Sequence, residues 1–194
     1  MANTSPWMVR VRGLGVVPDG KATLFLNGGL IGGGDVSISD SIVPELDITY
    51  FFTDAFAAEL ILGVRPHSVK GAGSIAAPGD IGKVWLLPPT LTLRYRFNLA
   101  DSIKPYVGAG VNHTFLFNQD AKGAFTSFKL DDSFGWAVQA GVDFMIDDHW
   151  GINFDVKKIF LDTDVTAVSP VLGVVTGDVD IDPWLIGGGI TYRF

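Results

Sequence analysis

Trp184-Leu-Ile-Gly-Gly-Gly-Ile-Thr-Tyr-Arg-Phe194, at the end of the chain, alternates strictly. Trp184, Ile186, Ile190, Tyr192 and Phe194 fall on one face, and Leu185, Thr191 and Arg193, with two glycines, on the other. Period two over this length makes a β-strand. An apolar strand face of about 9–11 residues that ends on an exposed aromatic has little use in an ordinary sheet. It suits an outer-membrane barrel, whose lipid face is apolar and bounded by aromatic rings.

Composition agrees. Of 194 residues, 47% are hydrophobic, 18% charged and 24 are glycine, yet no uninterrupted apolar run is long enough for a transmembrane helix. The apolar surface is therefore spread over short segments. The chain has no cysteine, which excludes disulfides and thiolate metal sites and suits an oxidising periplasm and cell surface. A net charge of −7 argues against nucleic acid as a partner, because that needs a basic face. The start, Met1-Ala-Asn-Thr-Ser-Pro6, has neither the basic nor the apolar region of a signal peptide, so a barrel reading expects a mature or recombinant chain.

Similar alternation recurs at 7–16, 46–52, 56–66, 84–97, 106–117, 134–144, 150–161 and 181–194, which predicts eight strands. The connections 53–55, 99–102 and 146–149 are short, whereas 17–44, 67–83, 118–133 and 162–180 are long. Short turns on one rim and long loops on the other are how outer-membrane barrels are built, with the short side periplasmic. The expectation is a single domain over 1–194: an all-β, eight-stranded antiparallel transmembrane barrel with long extracellular loops, in the outer membrane of a Gram-negative bacterium.

One face of these strands carries Val9, Val11, Leu46, Ile48, Leu91, Leu93, Trp136, Val138, Ile152 and Phe154. The other carries Arg10, Arg12, Glu45, Asp47, Glu59, Arg94, Arg96, Asn112, Gln139, Asp143, Asn153, Asp155, Lys157 and Arg193. A soluble lipocalin-type barrel would turn the charges outward. Against it, large aromatics on the apolar face gather near strand ends. Trp7, Phe56, Phe97, Phe144, Trp150 and Phe194 lie at the lower rim, with Trp85, Phe115 and Trp184 at the upper, as two interfacial girdles require.

The inward charges predict a polar plug in the lower lumen, built from Arg10, Arg12, Glu45, Asp47, Glu59, Arg94, Arg96, Asp143, Asp155 and Lys157. Such groups survive in a narrow lumen only if paired. Towards the long loops the inward positions turn apolar: Leu14, Val16, Leu86, Pro88, Leu116, Ile159, Leu161 and Leu185. These residues either form a pocket for a small hydrophobic molecule or pack the loops onto the barrel. Proline cannot donate to a sheet ladder, so Pro66, Pro88 and Pro89 either weaken the wall as a lateral opening or mark where strands leave the sheet.

Catalysis is poorly supported. His67-Ser68 invites a hydrolase or acyltransferase reading, but adjacent strand residues point to opposite faces. His113 is expected to face lipid or the upper girdle, and His149 lies in a short turn. No His-x-His or His-Glu-x-x-His spacing for a metal exists, and no cofactor is expected.

Leu87-Pro-Pro-Thr-Leu91, Lys104-Pro-Tyr-Val-Gly-Ala-Gly-Val-Asn112, Gly135-Trp-Ala-Val-Gln-Ala-Gly-Val-Asp143, and Asp182-Pro-Trp184 leading to Tyr192-Arg-Phe194 resemble the outer membrane protein W (OmpW) family, which includes the alkane-import protein AlkL. The resemblance spans nearly the whole chain in order and weakens in loops one and four. It implies an eight-stranded barrel that carries small hydrophobic compounds across the outer membrane, with lateral release into the bilayer. The leading expectation is thus a passive uptake channel. Its partners are membrane lipid and lipopolysaccharide, small hydrophobic molecules, and the barrel-assembly machinery through Phe194. The alternatives are a structural or interaction barrel, receptor- or adhesin-like, without transport, and a lipid-modifying enzyme.

Overall fold

The computed structural model describes the backbone of residues 5–17, 21–32, 34–38, 41–63, 65–73, 80–123, 125–171 and 173–194, and their side chains except at 21, 34–38, 41, 65–73 and 80–84. Eight antiparallel strands close on themselves: β1 (Trp7–Val17), β2 (Ser41–Phe51), β3 (Phe56–Leu62), β4 (Thr90–Arg96), β5 (Ile103–Ala121), β6 (Ser133–Met145), β7 (Trp150–Phe160) and β8 (Trp184–Arg193). Each pairs with its neighbours in the chain, and β8 returns to β1 from Met8↔Arg193 to Val17↔Trp184. Closure leaves the barrel region without a free edge. The turn after β6 is held by Asp147, whose Oδ1 accepts from the His149 and Trp150 amides at 2.8 and 2.6 Å.

Side chains divide as the alternation predicts. Leu91, Leu93, Trp136, Val138, Ile152 and Phe154 are exposed on the outer wall, while Arg10, Arg12, Asp47, Glu59, Arg94 and Asp143 are buried inside it. On the lower outer rim Trp7 meets Tyr50 at 4.8 Å between ring centres, Phe56 meets Tyr95 at 5.1 Å, and Trp150 meets Tyr192 at 4.7 Å. At the upper level Trp136 stacks on Phe160 at 4.1 Å. Edge-to-face and offset pairs of this kind suit rings at a membrane interface.

The expected boundaries shift at several strands. The segment expected as a strand over 84–97 is two strands, Asp80–Leu87 and Thr90–Arg96, separated by Pro88–Pro89. That over 56–66 ends at Leu62 and restarts as Arg65–Gly73. The second strand begins at Ser41 rather than Leu46, with Pro44 inside it opposite Gly13.

The long connections are themselves largely β. Lys21–Leu26, Gly29–Leu30, Ser127–Leu130, Asp162–Ser169 and Gly173–Asp180 form a five-stranded sheet. Gly34–Ile38, Arg65–Gly73 and Asp80–Leu87 extend the upper end of β5 into a second leaf. Alternation explains the first sheet: Thr163, Val165 and Ala167 point in, whereas Asp162, Asp164 and Thr166 point out. The inner face of the five-stranded sheet packs with Leu116, Ala137 and Ile159 of the barrel in one apolar cluster, and Leu86 of the second leaf packs against it.

Candidate functional site

The lower lumen is a layered ion-pair network. Arg10 on β1 donates from Nε and Nη2 to the two carboxylate oxygens of Asp143 on β6, at 3.0 and 2.7 Å, and from Nη1 to Thr49 at 2.9 Å. Its Nη1 also bonds Glu59, which takes a second guanidinium from Arg94. Gln139 completes Glu59 at 3.0 Å. One layer higher, Arg12 lies 2.7 Å from both Glu45 and Asp47 and 3.3 Å from Asp155, while Lys157 lies 3.5 Å from Glu45. Charges this deep require such pairing, since an unpaired ion in a narrow lumen carries several kcal/mol of desolvation.

Glycines make the cross-lumen reach possible. Tyr106 on β5 donates to Asp155 on β7 at 2.7 Å, passing over Gly141 of the intervening β6. A Cβ on Gly141 would overlap the Tyr106 hydroxyl. On β8, Gly189 stands between Arg12 and Asn153 of β7, which accepts from Arg12 at 3.0 Å, and a Cβ there would run into the β1 backbone at Val11 and Arg12. Below the network, the Arg96 and Arg193 guanidiniums lie over the buried Phe51 ring at 4.4 and 4.7 Å, and Arg96 donates to the Asp54 carbonyl at 3.0 Å.

Above the network the lining becomes apolar. Leu116, Ile159 and Leu161 belong to one buried cluster with Ala137, Leu24, Phe125, Phe128, Leu130, Val165, Ala167, Val175, Val179 and Ile181, and Leu86 and Leu185 pack against it. Leu14 is buried in the wall below, and Val16 and Pro88 are half-buried. Five of the eight expected pocket residues thus come together in this cluster, and Leu14, Val16 and Pro88 lie outside it. The loop side chains that join them, Leu24, Val165, Ala167 and Val175 among them, are what the alternative of loops packed onto the barrel expects.

The wall beside this cluster is interrupted. The β3–β4 ladder runs from Phe56↔Tyr95 to Ile61↔Thr90 and resumes in the same register at Arg65↔Leu86. Between those points Leu62 and Gly63 stand opposite Pro89 and Pro88 with no ladder pairing. Two prolines in succession remove the donors a ladder needs. On the other side the wall stays closed: Asn112↔Thr90 and Phe115↔Leu87 flank a bond from the His113 amide to the Pro89 carbonyl at 3.1 Å. Pro66 lies above the interruption, its backbone paired with Trp85, and its side chain is outside the described residues.

The sequence reading missed Tyr106, Thr49, Phe51 and the link between Asn112 and the prolines. Strand parity held the signal: Tyr106 shares its face with Asn112, and Thr49 and Phe51 share theirs with Glu45 and Asp47. Of the histidines, His113 packs on Phe115 at 4.4 Å on the outer wall, and His149 Nδ1 lies 2.7 Å from the Arg193 carbonyl. The side chains of His67 and Ser68 lie outside the described residues. Among the described residues no group of three His, Asp or Glu side chains is placed to hold a metal.

Residues 4–194 match the OmpW family. The chain belongs to that family. It is 52% identical to an outer-membrane protein of Sinorhizobium fredii, covering all of this chain and 82% of the relative. It is 33% identical to the dibenzothiophene metabolism operon protein PahQ of Pseudomonas aeruginosa, covering 100% of this chain and 90% of the relative. The crystal structure of the outer membrane protein OprG from Pseudomonas aeruginosa superposes with a TM-score of 0.90 at 30% identity, covering 98% of this chain and 97% of that one. As an OmpW-family barrel the protein resides in the outer membrane, with Trp136, Val138, Leu91 and Leu93 against lipid.

Proposed function

We propose that this barrel is a passive conduit through which small hydrophobic molecules enter from outside and leave sideways into the bilayer. The observation that carries the reading is the unpaired stretch of wall at Leu62–Gly63 and Pro88–Pro89, level with an apolar cluster and above a lumen closed by ion pairs. Passing downward means separating buried ions, at a cost of several kcal/mol; passing sideways means leaving an apolar site for lipid. The ligand contacts are Leu14, Val16, Leu86, Pro88, Leu116, Ile159, Leu161 and Leu185, and the opening is at Pro88 and Pro89 with Pro66 at its upper margin. The relative PahQ is named for a dibenzothiophene metabolism operon, which supports an apolar cargo.

Lipopolysaccharide at the upper girdle and the assembly machinery at Phe194 are the remaining partners in this reading, and the chain catalyses no reaction. The engagement of His113 with Phe115 and of His149 with the Arg193 carbonyl supports the last point. One observation favours a second reading, a structural or interaction barrel: loop side chains such as Phe125, Phe128 and Leu130 pack into the apolar cluster. Naphthalene uptake separates the two. Intact Gram-negative cells that make the protein should take up naphthalene faster than cells that lack it, and equal rates would favour the structural barrel.

A further inference from the structure

Successive carbonyls of a strand point to opposite sides. A strand that ran regularly through Pro88 and Pro89 would aim one carbonyl at β5 and the other at β3. The Pro89 carbonyl takes the β5 side, where it accepts from the His113 amide. The Pro88 carbonyl, due to face β3, accepts inside the lumen, from Thr90 Oγ1 at 3.2 Å and from Asn112 Nδ2 at 3.3 Å.

Asn112 is tied at both ends. Its amide nitrogen carries two hydrogens: Thr90 Oγ1 accepts at 2.8 Å, and the Pro88 and Pro89 carbonyls lie at 3.3 and 3.4 Å. Its oxygen accepts from Thr114 Oγ1 at 2.7 Å, and the Pro88 and Pro89 carbonyls, which can only accept, fix the nitrogen end of the amide towards the prolines. Asn112 has no exposed surface, and Thr90 and Thr114 almost none. A fully buried amide just below an apolar cluster is tolerable only if it is bonded, and half of the bonds it has are to the proline carbonyls.

We propose that Asn112 sets the break in the wall: with Thr90 it holds the Pro88 carbonyl in the lumen and off the β3 edge, which keeps Gly63 unpaired with β4 beside the apolar cluster. Asn112 is a positioning residue for the lateral exit, an inference that rests on the reading above. The residue touches no cargo on the way out. It determines where the wall is loose, between β3 and β4, and where it stays shut, between β4 and β5.

The test is Asn112→Leu, which keeps the size and removes the donor. Two quantities are read: amide hydrogen exchange at Gly63 in the refolded protein, with Leu62, whose amide faces Leu46 of β2, as an internal control, and naphthalene uptake by intact cells. With the Pro88 carbonyl released to β3, exchange should slow by about fivefold, the shift set by one net hydrogen bond, and uptake should fall. Asn112→Gln, which keeps the donor, should recover part of both. If Asn112→Leu fails to fold, Thr90→Val removes the other bond to Pro88 and is read in the same way. Unchanged exchange in a folded variant overturns the role of Asn112, whatever uptake does. Slowed exchange with undiminished uptake supports that role and contradicts lateral exit.

Discussion

The Tyr106 hydroxyl reaches Asp155 at 2.7 Å across the bare inward face of Gly141. The two residues are two strands apart, and a side chain on β6 at this point would block the path. Gly141→Ala should therefore force Tyr106 aside and break its bonds to Asp155 and Asn153. Overpacking of this kind costs about 1–3 kcal/mol. Urea unfolding of the refolded barrel, followed by tryptophan fluorescence, measures it; an unchanged midpoint would contradict the packing described here.

The ion-pair layers around Arg10 and Arg12 cross the lumen of a barrel just wide enough for side chains to fill. Planar-bilayer recordings should accordingly show little or no conductance. Large, steady currents of the porin type would show that the floor is open.

Val138 lies near mid-membrane on the outer wall. An arginine there faces hydrocarbon, and Val138→Arg should destabilise the barrel by about 2–4 kcal/mol. A variant that refolds with unchanged stability would contradict the inside–outside assignment.

On the outer face of the upper sheet, Asp162 stands opposite Asp180 and Asp164 opposite Asp178. The Asp164 carboxyl is held above its ordinary range, first by a hydrogen bond with Asp178 and then by the charges of Asp178 and Asp131. Lys129, in the neighbouring strand, is occupied by Asp131 at 2.5 Å. A carboxyl whose pKa rises on folding stabilises the fold while it is protonated. That contribution is complete below the ordinary carboxyl range and is lost as pH rises through the raised value. Amide-exchange protection over 162–180 should thus be lower at neutral than at mildly acidic pH, and Asp164→Asn should flatten the difference. A pH-independent wild type would rule the effect out.

Much of this arrangement is legible in the chain. Strict alternation in 184–194 and its repetition fixes eight strands and both faces, because a strand has only two sides and the membrane makes one of them apolar. The charged floor follows from parity alone. What escapes is what parity does not encode. Asp162-Thr-Asp-Val-Thr-Ala-Val-Ser169 alternates as well as a wall strand, yet its aspartates read as loop until the apolar cluster above the barrel gives Val165 and Ala167 a face to bury. The proline pair signals a weak ladder, but which side of it opens depends on Asn112, twenty-odd residues away in sequence and adjacent only once β4 and β5 pair.

The central claim is that cargo leaves through the wall between β3 and β4. The chain has no cysteine, so Leu62→Cys with Pro89→Cys, opposed across the interruption and both directed outward, gives a single defined pair. Oxidation should close the gap and abolish naphthalene uptake by intact cells while the barrel stays folded, and reduction should restore it. Undiminished uptake through fully cross-linked protein would contradict lateral exit and place the route elsewhere in the wall or through the charged floor.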